Sequence, residues 1–146
     1  MRTRSQPRPR WVFLDTSAHY GLADPRDDNH ATASAISRRL ITERWRLLTT
    51  NFILAETHAL LLVRRGRTIA WRTLEEIDRS TITIVRVSPA DERRAREIIA
   101  NYDDKNFSLT DATSFAVMER LGITQAFTFD HHFSQYGLQA LSTPNE

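Results

Sequence analysis

Trp11-Val12-Phe13-Leu14-Asp15-Thr16-Ser17 is the stretch on which the fold turns. Four consecutive apolar residues, set between Pro9 and a carboxylate, have the length and bounds of a buried strand. Asp15 closes that run, where folding alone would not put an acid, because an apolar setting disfavours an ionised carboxylate that nothing compensates. Three more acids pose the same problem. Glu56 lies within a helical apolar stripe, Asp111 opens the apolar helix after Ser108-Leu109-Thr110, and Asp130 closes Ala126-Phe127-Thr128-Phe129.

Residues 47–50, the β-branched residues 81–87, residues 125–129 and residues 138–141 read as further strands. Helical patterns fill the intervals. Residues 30–45 carry Ala33, Ile36, Leu40 and Ile41 on one face. Residues 51–65 start at a candidate N-cap, Asn51, and stop at Gly66. Residues 68–79, 89–101 (capped by Ser88, with Pro89 in the first turn) and 109–121 (ended by Gly122) complete the set. Asp24-Pro25 marks a turn and residues 102–107 a polar loop. Alternating strands and helices predict an α/β fold with a mostly parallel central sheet between helical layers. Residues 11–146 read as one domain, preceded by a basic, proline-broken flexible tail over residues 1–10 that includes Arg2, Arg4, Arg8 and Arg10. Open parallel sheets bind ligands outside the carboxyl ends of their strands. Asp15 and Asp130 are each expected as the first residue past such an end, on the same rim.

Each acid also has an ordinary structural reading. Asp15 suits an N-cap. Glu56 has Phe52, Ile53, Ala59, Leu60 and Val63 at helical spacing, a face expected to turn inward unless the carboxylate reaches out from its edge or pairs with an arginine. Ser108 and Asp111 have capping-box spacing, although the box prefers a longer acid. Asp130 suits a turn. Four such acids on one α/β rim point instead to a carboxylate cluster neutralised by a divalent cation. An all-oxygen set suits Mg²⁺ or Mn²⁺. His131 and His132 invite zinc, but adjacent residues rarely aim at one ion and no third His or Cys stands at ligand spacing. His19, His30 and His58 read as structural.

The chain has no cysteine, which excludes disulfides and thiolate metal sites and fits a reducing cytoplasm. No apolar run approaches the ~20 residues of a membrane helix, and residues 1–10 lack the apolar segment of a secretory signal. Nineteen of the twenty basic residues are arginine, Lys105 being the exception. Arginine's planar fork matches phosphate oxygens, which is weak support for a nucleic-acid partner alongside a codon-usage explanation.

Four segments together resemble the motifs of PIN-domain proteins: Val12-Phe13-Leu14-Asp15-Thr16-Ser17-Ala18, Thr50-Asn51-Phe52-Ile53-Leu54-Ala55-Glu56, Ser108-Leu109-Thr110-Asp111-Ala112-Thr113-Ser114-Phe115 and Thr128-Phe129-Asp130-His131-His132-Phe133. Order and spacing match over residues 11–141, and the subgroup most similar is the VapC-type toxin. The resemblance implies a PIN-like three-layer α/β/α sandwich and an Mg²⁺- or Mn²⁺-dependent endoribonuclease leaving 5′-phosphate and 3′-hydroxyl ends. It implies Asp15, Glu56, Asp111 and Asp130 as metal-binding catalytic acids. Thr16, Ser17, Thr110, Asp104 and His131 become supporting residues, and a homodimer and a VapB-like antitoxin become partners. Arg38, Arg39, Arg64, Arg65 and Arg67 are candidates for phosphate contacts. Two other classes compete. A phosphotransfer domain wants a second Asp where Ser17 stands, or a strand-end lysine. A non-catalytic PIN-like binding module would be expected to lack one or more of the four acids. A PIN nuclease of RNA processing would share the chemistry and differ in partner.

Overall fold

The sheet is built from β1 (Trp11–Leu14), β2 (Arg46–Thr50), β3 (Thr83–Val85), β4 (Gln125–Phe127) and β5 (Gln139–Ala140). The structure, a computed structural model, describes residues 8–141. The strand order is β3-β2-β1-β4-β5, and every pairing is parallel. β1 is therefore central, with Phe13 opposite Leu48 on one side and Ala126 on the other. The chain leaves β1 to build β2 and β3 on one flank, then returns to build β4 and β5 on the other. The direction of winding reverses between β1 and β4, the place where open α/β sheets leave a crevice at the strands' carboxyl ends.

The helices are α1 (Thr16–Ala23), α2 (His30–Thr42), α3 (Asn51–Arg65), α4 (Arg67–Arg79), α5 (Pro89–Asn101), α6 (Leu109–Leu121) and the short α7 (His132–Tyr136). Side chains alternate across a strand, and β1 shows how this splits the core. Phe13 packs with Leu48, Ile53, Ala95, Ile98, Phe115 and Phe133, under α3, α5, α6 and α7. Val12 and Leu14 face the other way, against Ala18, Ala33, Ile36, Leu40 and Phe127, under α1 and α2. Two helical layers thus enclose the sheet. A third cluster of Tyr20, Leu61 and Ala70 ties α1, α3 and α4 together. Phe13, Phe115, Phe127 and Phe133 are fully buried, each contributing roughly 1.5–3 kcal/mol of burial free energy.

Several boundaries differ from the sequence reading. The second helix ends at Thr42, and Arg44 takes a left-handed φ of 59° before β2 begins at Arg46. The cap of α3 is Thr50, whose hydroxyl accepts the Ile53 amide at 3.2 Å. Asn51 turns elsewhere, its Oδ1 accepting the Val87 amide at 2.8 Å. The third strand shrinks to Thr83–Val85. The fourth stops at Phe127, so Asp130 lies three residues beyond the strand rather than immediately after it. Of the expected tail, residues 1–7 lie outside the described residues. Arg10 is anchored: its guanidinium donates to the Glu43 carbonyl at 2.7 Å and lies 4.7 Å over the Trp45 ring. Among the described residues no helix is long and apolar enough to cross a membrane.

Candidate metal centre

Asp15 emerges from β1 directly into the first turn of α1 and is only 4% exposed. Its Oδ2 accepts the Thr128 hydroxyl at 2.9 Å and the Ser17 hydroxyl at 3.1 Å. Thr128 also accepts the Asp130 amide at 3.0 Å, and Ser17 accepts the Phe129 amide at 2.9 Å. The chain leaves β4 at Thr128 because its hydroxyl and two following amides are used on this bridge. Burial pushes the Asp15 carboxyl up from 3.8 to about 6; hydrogen bonds from Thr128, the Thr16 amide and Ser17 oppose the rise, and the charge of Asp111 adds to it.

Asp111 is held in the third position of α6 by a reciprocal cap: Ser108 Oγ accepts the Asp111 amide, and Asp111 Oδ2 accepts the Ser108 amide, both at 3.0 Å. The same Oδ2 lies 2.8 Å from His132 Nδ1. Asp130 Oδ1 accepts the His132 amide at 2.9 Å and lies 3.4 Å from His132 Nδ1. The capping-box reading of Asp111 is met, and the same carboxylate also faces His132. Among the described residues, no hydrogen bond reaches Oδ1 of Asp111 or Oδ2 of Asp130. Ligand atoms of Asp111, Asp130 and His132 fall within 4.8 Å of one another, the separation a shared ion requires.

Two other buried acids show what a structural carboxylate looks like here. Asp24 is 4% exposed and joins α1 to the end of α3 through Arg65. Burial pushes its carboxyl up, but the Tyr20 hydroxyl, the Arg26 amide and the Arg65 guanidinium hold it below the ordinary value. Asp91 is 3% exposed and accepts two bonds from the Arg120 guanidinium, at 2.8 and 2.9 Å, which lower its carboxyl further than burial raises it. Among the described residues, no arginine or lysine is a partner of Asp15, Asp111 or Asp130. Asp15 lies outside the group whose ligand atoms share one centre, but Thr128 bonds both its carboxylate and the Asp130 amide, and the Asp111 charge reaches it. The oxygen-rich, acidic surroundings fit a hard divalent cation.

Glu56 stands apart from this group. It is half-buried on α3, and no hydrogen bond or ion pair joins it to the other acids. The inward line of α3 is Ile53, Thr57 and Leu61, with Val63 86% exposed and Ala59 also exposed, so the face expected to turn inward does not. The helix is rotated to bury Thr57, whose hydroxyl is satisfied by the Ile53 carbonyl at 2.8 Å. The start of α3, at Asn51, lies at the carboxyl end of β2, beside β1, with Glu56 further along the helix.

Of the expected supporting residues, Ser17 donates its hydroxyl to Asp15, and Thr16 Oγ1 is buried beside Asp15 without a hydrogen-bond partner. The Thr110 carbonyl accepts the Thr113 and Ser114 hydroxyls within α6. Asp104 lies on the exposed loop and pairs with Lys105 at 3.2 Å, outside the group. His131 is exposed and lines a hollow of about 360 Å³ with Asn29, Thr32, Phe129, Asp130 and Ser134. His132, set aside in the sequence with the zinc reading, is the residue the cluster contains. An Asp whose side chain accepts the amide two residues later forms a tight local turn, and that turn delivers the imidazole. His19 is structural: Thr49 Oγ1 lies 3.2 Å from its Nε2 and donates to the Leu14 carbonyl at 2.9 Å, bracing the end of β1. Among the arginines, Arg65 is committed to Asp24, Arg39 pairs with Glu43 and Arg64 lies over the Tyr20 ring.

The sequence model of the PIN domain matches residues 12–138. A curated relative, the 23S rRNA-specific endonuclease VapC20 of Mycobacterium tuberculosis, is 37% identical over 127 residues, covering 86% of this chain and 94% of that protein. The crystal structure of M. tuberculosis VapC20, described as a sarcin-ricin-loop-cleaving toxin, superposes with a TM-score of 0.82 at 32% identity, over 90% of this chain and 98% of that one. The fold is shared at 12% identity with VapBC2 from Rickettsia felis (TM-score 0.66, over 90% of this chain and 97% of that chain).

Proposed function

We propose, from the premise that this chain belongs to the PIN-domain family and to its VapC-type branch, that it is a divalent-metal-dependent endoribonuclease acting as the toxin of a VapBC-type pair. The observation that supports this best is the contrast among the acids: Asp24 and Asp91 are neutralised by arginine, whereas Asp15, Asp111 and Asp130, along the β1–β4 crevice, have no arginine or lysine partner among the described residues.

Asp15, Asp111 and Asp130 hold the ion, with Mg²⁺ or Mn²⁺ as the fitting species. When bound, the cation lowers the pKa of a water and stabilises charge on the phosphate. Thr128 and Ser17 hold one oxygen of Asp15, while Ser108 and His132 hold one of Asp111. Glu56 serves from the α3 side of the rim, completing the cage or orienting the water. This assignment rests on its place in the second motif. The buried Thr16 hydroxyl is an unused donor and acceptor beside Asp15. The hollow beyond Asp130 has room for an unstacked base next to Phe129, consistent with recognition of single-stranded loops. The VapC20 comparison suggests ribosomal RNA as the substrate class, hence a cytoplasmic place of work. A homodimer and a VapB-like antitoxin complete the assignment of partners.

The direct test is Asp111→Asn. The folded variant loses RNA cleavage by more than about 100-fold, beyond the 10–100-fold typical of outer-shell changes, and chelation silences the wild type to the same degree. Undiminished cleavage by the variant refutes the assignment.

A further inference from the structure

We infer that His132 is a positioning residue: its ring N–H and its backbone N–H each hold one carboxylate, presenting the free oxygens of Asp111 and Asp130 to a divalent cation. The inference rests on the metal-dependent reading above and assigns a residue within it. Nδ1 lies 2.8 Å from Asp111 Oδ2 and 3.4 Å from Asp130 Oδ1. An ionised carboxylate only accepts, so opposite the Asp111 carboxylate at 2.8 Å Nδ1 is the donor. A nitrogen that carries a hydrogen has no lone pair for a metal. Through Nδ1, His132 therefore acts on the carboxylates rather than as a ligand beside them.

Three features fix the ring for this task. Its own amide is bonded to Asp130 Oδ1 at 2.9 Å, which sets the backbone. Phe107 meets its ring edge-to-face, with centroids 5.5 Å apart. Phe107 in turn packs edge-to-face on Phe115 at 5.1 Å, and Phe115 stacks on Tyr136 at 4.6 Å. The imidazole is thus an extension of the aromatic core into the acid cluster. The two bonds consume Oδ2 of Asp111 and Oδ1 of Asp130, leaving the opposite oxygen of each without a protein donor. Without the N–H, two carboxylates that approach within ion-sharing distance lose the group between them and are free to rotate apart.

The test compares H132N, H132Q and H132F in the full chain, with D111N as reference. Asparagine carries an amide N–H close to the Nδ1 position, glutamine carries one nearer Nε2, and phenylalanine keeps the ring and its contact with Phe107 but has no N–H. Mn²⁺ affinity is measured by calorimetry, folding by thermal melting in chelator, and cleavage as a function of Mn²⁺. H132N is expected to bind Mn²⁺ close to wild type, and H132F and H132Q about 10–100-fold more weakly, the usual cost of an outer-shell partner. Saturating Mn²⁺ restores turnover to H132F but not to D111N. If H132F melts early in chelator, H132Q carries the comparison. Wild-type affinity in H132F, equal losses in H132N and H132F, or nitrogen hyperfine coupling from a directly bound imidazole in the wild-type Mn²⁺ spectrum would each overturn this inference alone. Wild-type affinity in D111N would overturn the metal reading and this inference with it.

Discussion

Replacing Asp15 with Asn should make the metal-free protein more stable at neutral pH and make it nearly indifferent to divalent cations. Burial is the main reason the Asp15 carboxyl is raised from 3.8 to about 6, a gap worth about 3 kcal/mol. A carboxyl raised in the folded state favours folding below its unfolded value and loses that contribution as pH climbs through the folded value. At neutral pH the wild type therefore carries the full cost of an ionised, buried Asp15. Asparagine removes the charge and keeps an oxygen to accept the Thr128 and Ser17 hydroxyls. The difference in unfolding free energy, variant minus wild type, should grow by about 3 kcal/mol between roughly pH 4 and pH 7. The difference is the quantity to measure, because His19 titrates in the opposite sense. Burial lowers its imidazole from 6.5 to about 4, so its contribution is present above 6.5 and lost as pH falls through that window. The two groups offset each other in the wild-type profile and separate only in the subtraction. Urea unfolding across this range, with chelator and then with Mn²⁺, is the assay. Mn²⁺ at a hundred times its dissociation constant should return about 2.7 kcal/mol to the wild type and little to the variant. A variant less stable than wild type at neutral pH without metal, or a difference that does not change with pH, refutes the reasoning.

Three further outcomes follow. Thr128→Val removes the hydroxyl that links Asp15 Oδ2 to the Asp130 amide; it should cost about 1–3 kcal/mol in thermal unfolding and weaken Mn²⁺ binding about 10–100-fold by calorimetry. Arg65→Ala strips Asp24 of its buried partner and should destabilise the fold by roughly 3–5 kcal/mol, with cleavage per folded molecule unchanged, because this arginine is structural. Arg67→Ala, at an exposed position on α4, should leave stability unchanged and, where it meets a phosphate, lower the slope of log affinity against log salt by about 1.

The strand order could not be read along the chain, yet the class of fold could. Alternating apolar runs and helical stripes imply a parallel sheet with covered faces, and Phe13 against Val12 and Leu14 shows the two faces in three residues. Asp15, Asp111 and Asp130 were legible because each interrupts an apolar pattern at an element boundary. Glu56 drew attention for a reason the structure does not support. Its neighbours at helical spacing are apolar, but Ala59 and Val63 are exposed and the helix buries Thr57 instead. A helical stripe two residues wider than the core needs leaves its orientation undetermined. His132 was missed because ligand spacing was sought among histidines, whereas its partner is an aspartate two positions earlier whose side chain folds the turn.

What separates the site from the rest of the buried charge is the partner rather than the acid. Asp24, Asp91, Asp15 and Asp111 are all at most 8% exposed, and burial alone cannot sort them. Asp24 and Asp91 reach guanidinium groups on other helices, and their ordinary ionisation helps hold α1 to α3 and α5 to α6. The Asp15 carboxylate meets only hydroxyl and amide donors, and the Asp111 carboxylate only an amide and an imidazole. The hydroxyl and amide donors orient a carboxylate without cancelling its charge. The chain has nineteen arginines, yet among the described residues none reaches Asp15, Asp111 or Asp130, which leaves a bound cation as a fitting means of neutralisation. On the metal-dependent reading, a bound ion would offset the cost that burial of the Asp15 charge imposes on the folded protein.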